Sequence, residues 1–455
     1  MTYGYKVVYP PSEFLTESGY ERVAHIPCIF DGRPGYDRNA SRFLVDRALG
    51  VWDPKNRGRG IQQVPPTQQS IQNYAEWLVN YLDWCKARSI EPLRADYIRD
   101  ILGRYQTEML KGIWSATGRP LSEGTVNLRV GVAVEFLTWA GDKGVREPFS
   151  APTSTRYIKI GSATSSVSHK PVAVESRRGK LREAKRRLGF PPEEELAAWF
   201  RAIAKKPEVG DTESLICATI LETAIRREEA ACLRVDFLPR NPEDWEILNR
   251  SAAPENQSVV LEIRYGAKGK SYGSDHGDKI GPVGTIRMSL SLALKLHKYR
   301  ESARLEALRI AIKKGKTRAE QAKVRDESVH LFLNPKTGLR YSGKQIYTLW
   351  RSVPHPQQWS PHLARDYWAC MTLLRRMQQQ RELLEHALKK DVPSEILGSI
   401  RSSAESVIMM EIQPQLRHAS RETTMIYLQW LSDHLSLNLN LHEKWVDQLS
   451  DGGFV

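Results

Sequence analysis

Between residues 151 and 190 the chain changes character, and that change divides it. From residue 65 to 150, apolar residues recur at helical spacing, and from residue 191 they do so again. Between the two lie Ser, Thr and Pro, then a basic run of Arg177, Arg178, Lys180, Arg182, Lys185, Arg186 and Arg187. A stretch with so little to bury reads as an interdomain linker, residues 151–190, whose basic part could cross a phosphate backbone. A length of 455 residues also favours two domains over one.

The first domain is expected over residues 65–150 as a small helical bundle. Thr67 or Ser70 can cap a helix carrying Tyr74, Leu78, Tyr81, Leu82 and Cys85 on one face. A second helix is expected from Leu93 to Leu110. A third follows Ser122 and carries Val126, Val130, Val134, Leu137 and Ala140. Residues 1–64 hold turn signals such as Asp31-Gly32-Arg33-Pro34-Gly35 and read as an extension or arm. The second domain is expected over residues 191–432. A helix opens at Pro191-Pro192-Glu193, and another, Asp211 to Ile225, leads into Arg226. Strands are expected at Val259–Tyr265 and Gly284–Met288, with a turn at Gly266–Lys270 and a polar loop from Ser271 to Pro282. Helices are expected at Ser289–Ala311 and Ser342–Trp350. Residues 433–455 read as a C-terminal helix or tail with a leucine-rich face, suited to subunit contact.

Three short stretches carry chemistry. Glu222-Thr223-Ala224-Ile225-Arg226-Arg227-Glu228-Glu229 puts an arginine just after an apolar helix. Pro361-His362-Leu363-Ala364-Arg365-Asp366 puts a histidine and an arginine on one helical face. Leu416-Arg417-His418 through Met425-Ile426-Tyr427-Leu428 opens on a histidine and ends on a tyrosine at the start of a helix. Each alone is weak, since a tyrosine on a helix is usually packing. Together, and in this order, they resemble the tyrosine recombinase (phage integrase) family. Thr125 to Arg129 followed by Glu135 to Ala140 is similar to the core-binding (SAM-like) domain of that family.

The resemblance implies a mainly α fold with a small antiparallel β-sheet: a helical core-binding domain and a mixed α/β catalytic domain, forming a C-shaped DNA clamp. It implies that Tyr427 is the nucleophile, forming a 3′-phosphotyrosine and freeing a 5′-hydroxyl without metal or ATP. Arg226 and Arg365 would clamp the phosphate, because a guanidinium stays charged and donates two hydrogen bonds to it. His362 and His418 would donate to it or move a proton. Lys268, in the turn after the first strand, would protonate the leaving 5′-oxygen, with Lys270 as runner-up and Lys279 third. Glu229 would orient the basic groups. Arg129 and Lys270 are candidate DNA contacts. The chain departs from the family pattern at Ala224 and Arg417, where glycine is usual. Arg365 and His418 are also unusually far apart, which implies an inserted helical segment at about 378–410.

Composition narrows the alternatives. A net charge of +14 points to a polyanionic partner, nucleic acid first and an anionic membrane surface second, and the resemblance makes that partner double-stranded DNA. Five scattered cysteines without a CxxC pair argue against a disulfide framework or zinc knuckle. No cofactor or metal is expected. No stretch is apolar enough for a membrane span, so a cytoplasmic protein is expected. The resemblance implies a DNA-associated bacterial protein, monomeric or dimeric when free and tetrameric on paired DNA sites. Accessory subunits are left open. The rival readings are a type IB topoisomerase and a catalytically silent DNA-binding relative.

Overall fold

The computed structural model describes residues 4–33, 35–54, 65–158, 172–183, 187–269, 271–388, 402–418 and 424–434. The chain forms two compact units, Met1–Lys185 and Arg186–Val455. It is mainly helical with small antiparallel sheets, as the sequence predicts. Among the described residues no helix is long and apolar enough to cross a membrane.

The first unit is built on helices α1 (Arg38–Ala48), α2 (Gln68–Ala87), α3 (Tyr97–Gln106, continuing through Thr107–Leu110) and α4 (Glu123–Asp142). Thr67 caps α2 by accepting from Ser70 N, and Ser122 caps α4 by accepting from Thr125 N. Removing such a cap typically costs about 1 kcal/mol. The predicted faces point inward: Leu78, Tyr81, Leu82 and Cys85 of α2 meet Val126, Val130, Leu137 and Ala140 of α4 in one core. Most of α3 is π-helical, which no hydrophobic period announces.

Two expectations need correction here. Much of the supposed N-terminal arm is part of the core: Ile29, Phe43 and Leu44 are buried with Phe136 and Trp139. Asp46 accepts from Trp139 Nε1 at 2.9 Å, and Asp142 accepts from Trp52 Nε1 at 2.9 Å. Buried indole N–H groups need acceptors, and these ones come from far along the chain. The supposed linker is also structured in part. Strands β3 (Thr153–Ile158) and β4 (Val172–Arg177) pair antiparallel, following the two-stranded pair of β1 (Lys6–Val8) and β2 (Cys28–Phe30). Beyond β4, Leu181 N donates to Asn127 Oδ1 and Asn127 Nδ2 donates to Leu181 O, each at 3.0 Å.

The second unit surrounds a four-stranded antiparallel sheet in the order β5-β6-β8-β7, with β5 Ile247–Leu248, β6 Ser258–Tyr265, β7 Ser274–Asp275 and β8 Asp278–Ser289. The expected return strand is therefore longer than its apolar part. Part of the expected polar loop is the short β7–β8 hairpin, turned by His276 (φ 47°) and Gly277 (φ 77°). Helices α5 (Glu193–Ala204), α6 (Gly210–Thr223) and the short α7 (Arg227–Ala231) precede the sheet. After it come α8 (Leu290–Glu301) and α9 (Ala303–Lys313), where one helix was expected. They are separated at Ser302 (φ −128°, ψ −96°). Helices α10 (Arg318–Glu327), α11 (Gly343–Trp350) and α12 (Pro361–Leu388) follow. Residues 402–416 form α13, π-helical at Ile408–Ile412, and Ile426–His434 form α14.

Trp199, Trp350 and Trp359 pack against one another in the core, with ring centroids 4.6–5.8 Å apart. Such pairs contribute roughly 0.5–1.5 kcal/mol each beyond area burial. A second cluster joins Ala369, Cys370 and Leu373 of α12 to Leu416 of α13 and to Tyr427 and Leu431 of α14. This cluster brings the three quoted motifs together.

Candidate active site

Two helix ends meet at the site, and each is closed by a non-glycine residue in the left-handed region. Helix α6 ends at Ala224 (φ 54°) and α13 at Arg417 (φ 51°). Glycine is the usual residue there, because a Cβ makes this conformation costly. After Ala224 the chain reverses, and Arg226 becomes the N-cap of α7. Glu229, in the first turn of α7, is 1% exposed. It accepts from Arg226 N at 2.7 Å and from Arg226 Nη1 at 2.8 Å. The Arg417 guanidinium also pairs with Glu229. A buried carboxylate needs this kind of compensation.

Arg365 projects from the second turn of α12 and is 4% exposed. Its Nη1 donates to Ala224 O, and its Nη2 donates to Leu416 O at 3.0 Å. Arg226 Nη2 donates to the same Leu416 carbonyl at 3.4 Å. The last carbonyls of a helix carry its partial negative charge, so two helix C-termini hold the two guanidiniums. Burial, and then the nearby Arg226, bring the Arg365 guanidinium down to about 10. It remains a cation at neutral pH.

His418 follows directly. Its Nδ1 lies 3.3 Å from Thr424 Oγ1, and its ring stacks on Tyr427 with centroids 6.4 Å apart and planes at 19°. Burial, then the charges of Arg365, Arg226 and His362, push its pKa down to about 4. The imidazole is therefore neutral at pH 7. Tyr427 is 1% exposed, and its hydroxyl donates to Asp366 Oδ1 at 3.0 Å. Burial, and then Asp366, hold the phenol well above its ordinary value.

Arg226, Glu229, Arg365, His418 and Tyr427 thus converge. His362 is exposed on α12, one turn before Arg365, and its charge is among those felt at His418. Lys268 is exposed in the turn after β6, between Gly266 (φ 69°) and Gly269 (φ 128°). Among the described residues it is not one of the hydrogen-bond partners of Arg226, Arg365, His418 or Tyr427. Lys270 lies outside the described residues, as do residues 389–401 of the expected insertion and residues 435–455. Arg129, in the first unit, donates to Asn80 Oδ1 at 3.3 Å and is partly buried.

Two residues of this cluster were not assigned from sequence. Asp366 stands four residues after His362, so both lie on one helical face; that spacing was the available signal. Arg417 was noted only as a departure from glycine. Its aliphatic stem fills space beside β8, where a Cβ added at Gly284 would come within 2.6 Å of Arg417 Cδ.

No protein-family model matches the chain, and no curated protein matches it. Solved structures similar to it include XerA recombinase (14% identity, 89% of this chain and 98% of that one, TM-score 0.30). XerH site-specific recombinase bound to difH, in a pre-cleavage complex, is similar at 15% identity over 88% of each chain, with a TM-score of 0.40. The Tn1549 transposon integrase (residues 82–397) in complex with circular intermediate DNA is similar at 11% identity, over 85% of this chain and 94% of that one, with a TM-score of 0.41. At such identities and TM-scores, function is left to the site's own geometry.

Proposed function

We propose that the chain is a site-specific DNA recombinase of the tyrosine type, which breaks and rejoins double-stranded DNA through a 3′-phosphotyrosine. One observation carries the reading. Two guanidiniums from different helices meet at the Leu416 carbonyl, beside a neutral imidazole stacked on a buried tyrosine.

In this reading Arg226 and Arg365 hold the nonbridging oxygens of the scissile phosphate and stabilise the charge that builds there. His418 stays neutral at pH 7 and donates a hydrogen bond without adding a third cation. His362, a turn before Arg365, supports the same phosphate. Tyr427 oxygen attacks phosphorus, and the bond from phosphorus to the 5′-oxygen breaks. Lys268 gives that oxygen a proton. The phosphotyrosine retains the bond energy, so a 5′-hydroxyl from another strand reverses the step without ATP. Glu229 keeps Arg226 oriented. Strand exchange would take place in a tetramer on two DNA sites, serving integration, excision or transposition of a mobile element.

The test is a covalent-adduct assay in metal-free buffer. Wild type and Tyr427→Phe are mixed with duplex DNA from the ends of the element that encodes the chain, then run in detergent. An adduct with wild type alone supports the reading. An adduct with both removes Tyr427 from the mechanism. Tight binding with no adduct from either favours a DNA-binding role without cleavage.

A further inference from the structure

We infer that Asp366 is a catalytic residue: it accepts the proton that Tyr427 must lose as its oxygen attacks phosphorus. The inference rests on Tyr427 being the nucleophile. A phenol is a poor nucleophile while it keeps its proton, and this one cannot release it to bulk water, because Tyr427 is 1% exposed. Burial also keeps it protonated at rest. The proton therefore has to leave within the bond-making step, to a group already in contact.

The contact is Asp366 Oδ1, 3.0 Å from the hydroxyl, on a side chain that is 6% exposed. That distance is within reach for a general base. His418 is the competing acceptor, but its ring runs nearly parallel to the Tyr427 ring with centroids 6.4 Å apart, and its Nδ1 is turned to Thr424. Asp366 also follows Arg365 directly on α12. One rigid helical turn thus sets the guanidinium proposed to hold the phosphate and the carboxylate that holds the attacking oxygen. Such fixed spacing is what an in-line attack requires.

The step balances. The Tyr427 O–H bond breaks and its proton moves to Asp366 Oδ1. The O–P bond forms, the bond to the 5′-oxygen breaks, and that oxygen takes a proton from Lys268. On rejoining, a 5′-hydroxyl attacks phosphorus and gives its proton back to Lys268. The departing tyrosyl oxygen takes the proton back from Asp366.

The experiment measures single-turnover adduct formation by the full chain on the same duplex, with binding and thermal melting recorded for every variant. Asp366→Asn is expected to slow the adduct by about 10²-fold, a usual size for general-base loss, while DNA binding is unchanged. Its rate should climb with pH as hydroxide substitutes for the carboxylate, and Asp366→Glu should recover part of the rate. Difluorotyrosine at position 427, a more acidic phenol, should restore Asp366→Asn far more than it speeds wild type. A folded, DNA-binding Asp366→Asn that reacts as fast as wild type overturns the inference. A faster one does too, because Asp366 would then be a latch on the tyrosine. Absence of rescue by difluorotyrosine also overturns it. If instead Tyr427→Phe still forms adduct, the nucleophile assignment itself has failed, and the inference falls with it.

Discussion

At the scale of single residues, Arg417 sets two opposed effects against each other. Its left-handed backbone costs about 1 kcal/mol relative to glycine. Its guanidinium helps neutralise Glu229, and breaking a buried ion pair typically costs about 3–5 kcal/mol. The second effect is larger. Arg417→Gly is therefore expected to lower stability by roughly 2–4 kcal/mol in urea unfolding, from those two figures. An unchanged midpoint would mean that Arg226 alone satisfies Glu229. His418 gives a pH signature. Its pKa falls from 6.5 to about 4 on folding, so in that interval the unfolded chain holds a proton that the folded chain does not. Stability contributed by the neutral imidazole is present above about 6.5 and is lost progressively as pH falls to about 4. Melting temperature against pH should flatten in that window for His418→Gln; an unaltered slope would assign it to other groups. Arg226, Arg365, His418 and Tyr427 were legible because their motifs are short and ordered. Asp366 and Arg417 were not, because their partners stand 61 and 188 residues away, and only packing reveals such pairs.

At the scale of elements, the hairpin that carries Lys268 is anchored at its far end. Asp278, buried at the start of β8, takes a hydrogen bond from His330 Nε2 at 2.7 Å and pairs with Arg340. Arg234 lies 3.5 Å over the Tyr265 ring and donates to Asp275 at 2.7 Å. Burial would push the Asp278 carboxyl up, but the His330 and Arg340 bonds outweigh it and hold it below the usual range. Next to it, Lys279 Nζ donates to Gly269 O at 2.5 Å and so ties the strand to the Lys268 turn. Lys279→Met should loosen that turn and slow adduct formation about 10²-fold, the low end of what misplacing a general acid costs, if Lys268 is the acid as proposed. Sulfur in place of the 5′-bridging oxygen should erase the defect, since a thiolate leaves without a proton. A defect that persists with sulfur would show that Lys279 acts on something other than the leaving group. The sequence displays this region as a polar loop. Its order comes from His330 and Arg340, which no local pattern links to Asp278. The capped helices α2 and α4 show the converse, since their caps and the apolar faces named above could be read from their own residues.

At the scale of the whole molecule, the charge of +14 predicts a steep salt dependence. Log affinity for duplex DNA should fall linearly with log salt, and six or more neutralised phosphates would give a slope of about −5 or steeper. A flat response would exclude phosphate contacts as the main source of affinity. The first unit makes a sharper claim. Deleting residues 1–64 should leave Phe136 and Trp139 without Phe43 and Ile29, so the remainder should aggregate or melt without cooperativity. A trimmed chain that melts as sharply as the full one would restore the idea of an accessory arm. The sequence did not place these residues in the core because their short apolar runs lack a period. In the second unit, the Leu416 carbonyl receives both Arg226 and Arg365, and it ends the helix that leads out of the 378–410 segment. Drawing that helix back by one turn would take one hydrogen bond from each cation at the same moment, while Glu229 keeps Arg226 and the Ala224 carbonyl keeps Arg365. The two cations thus share one point of slack, and a shift of that carbonyl would loosen the pair in step without releasing either.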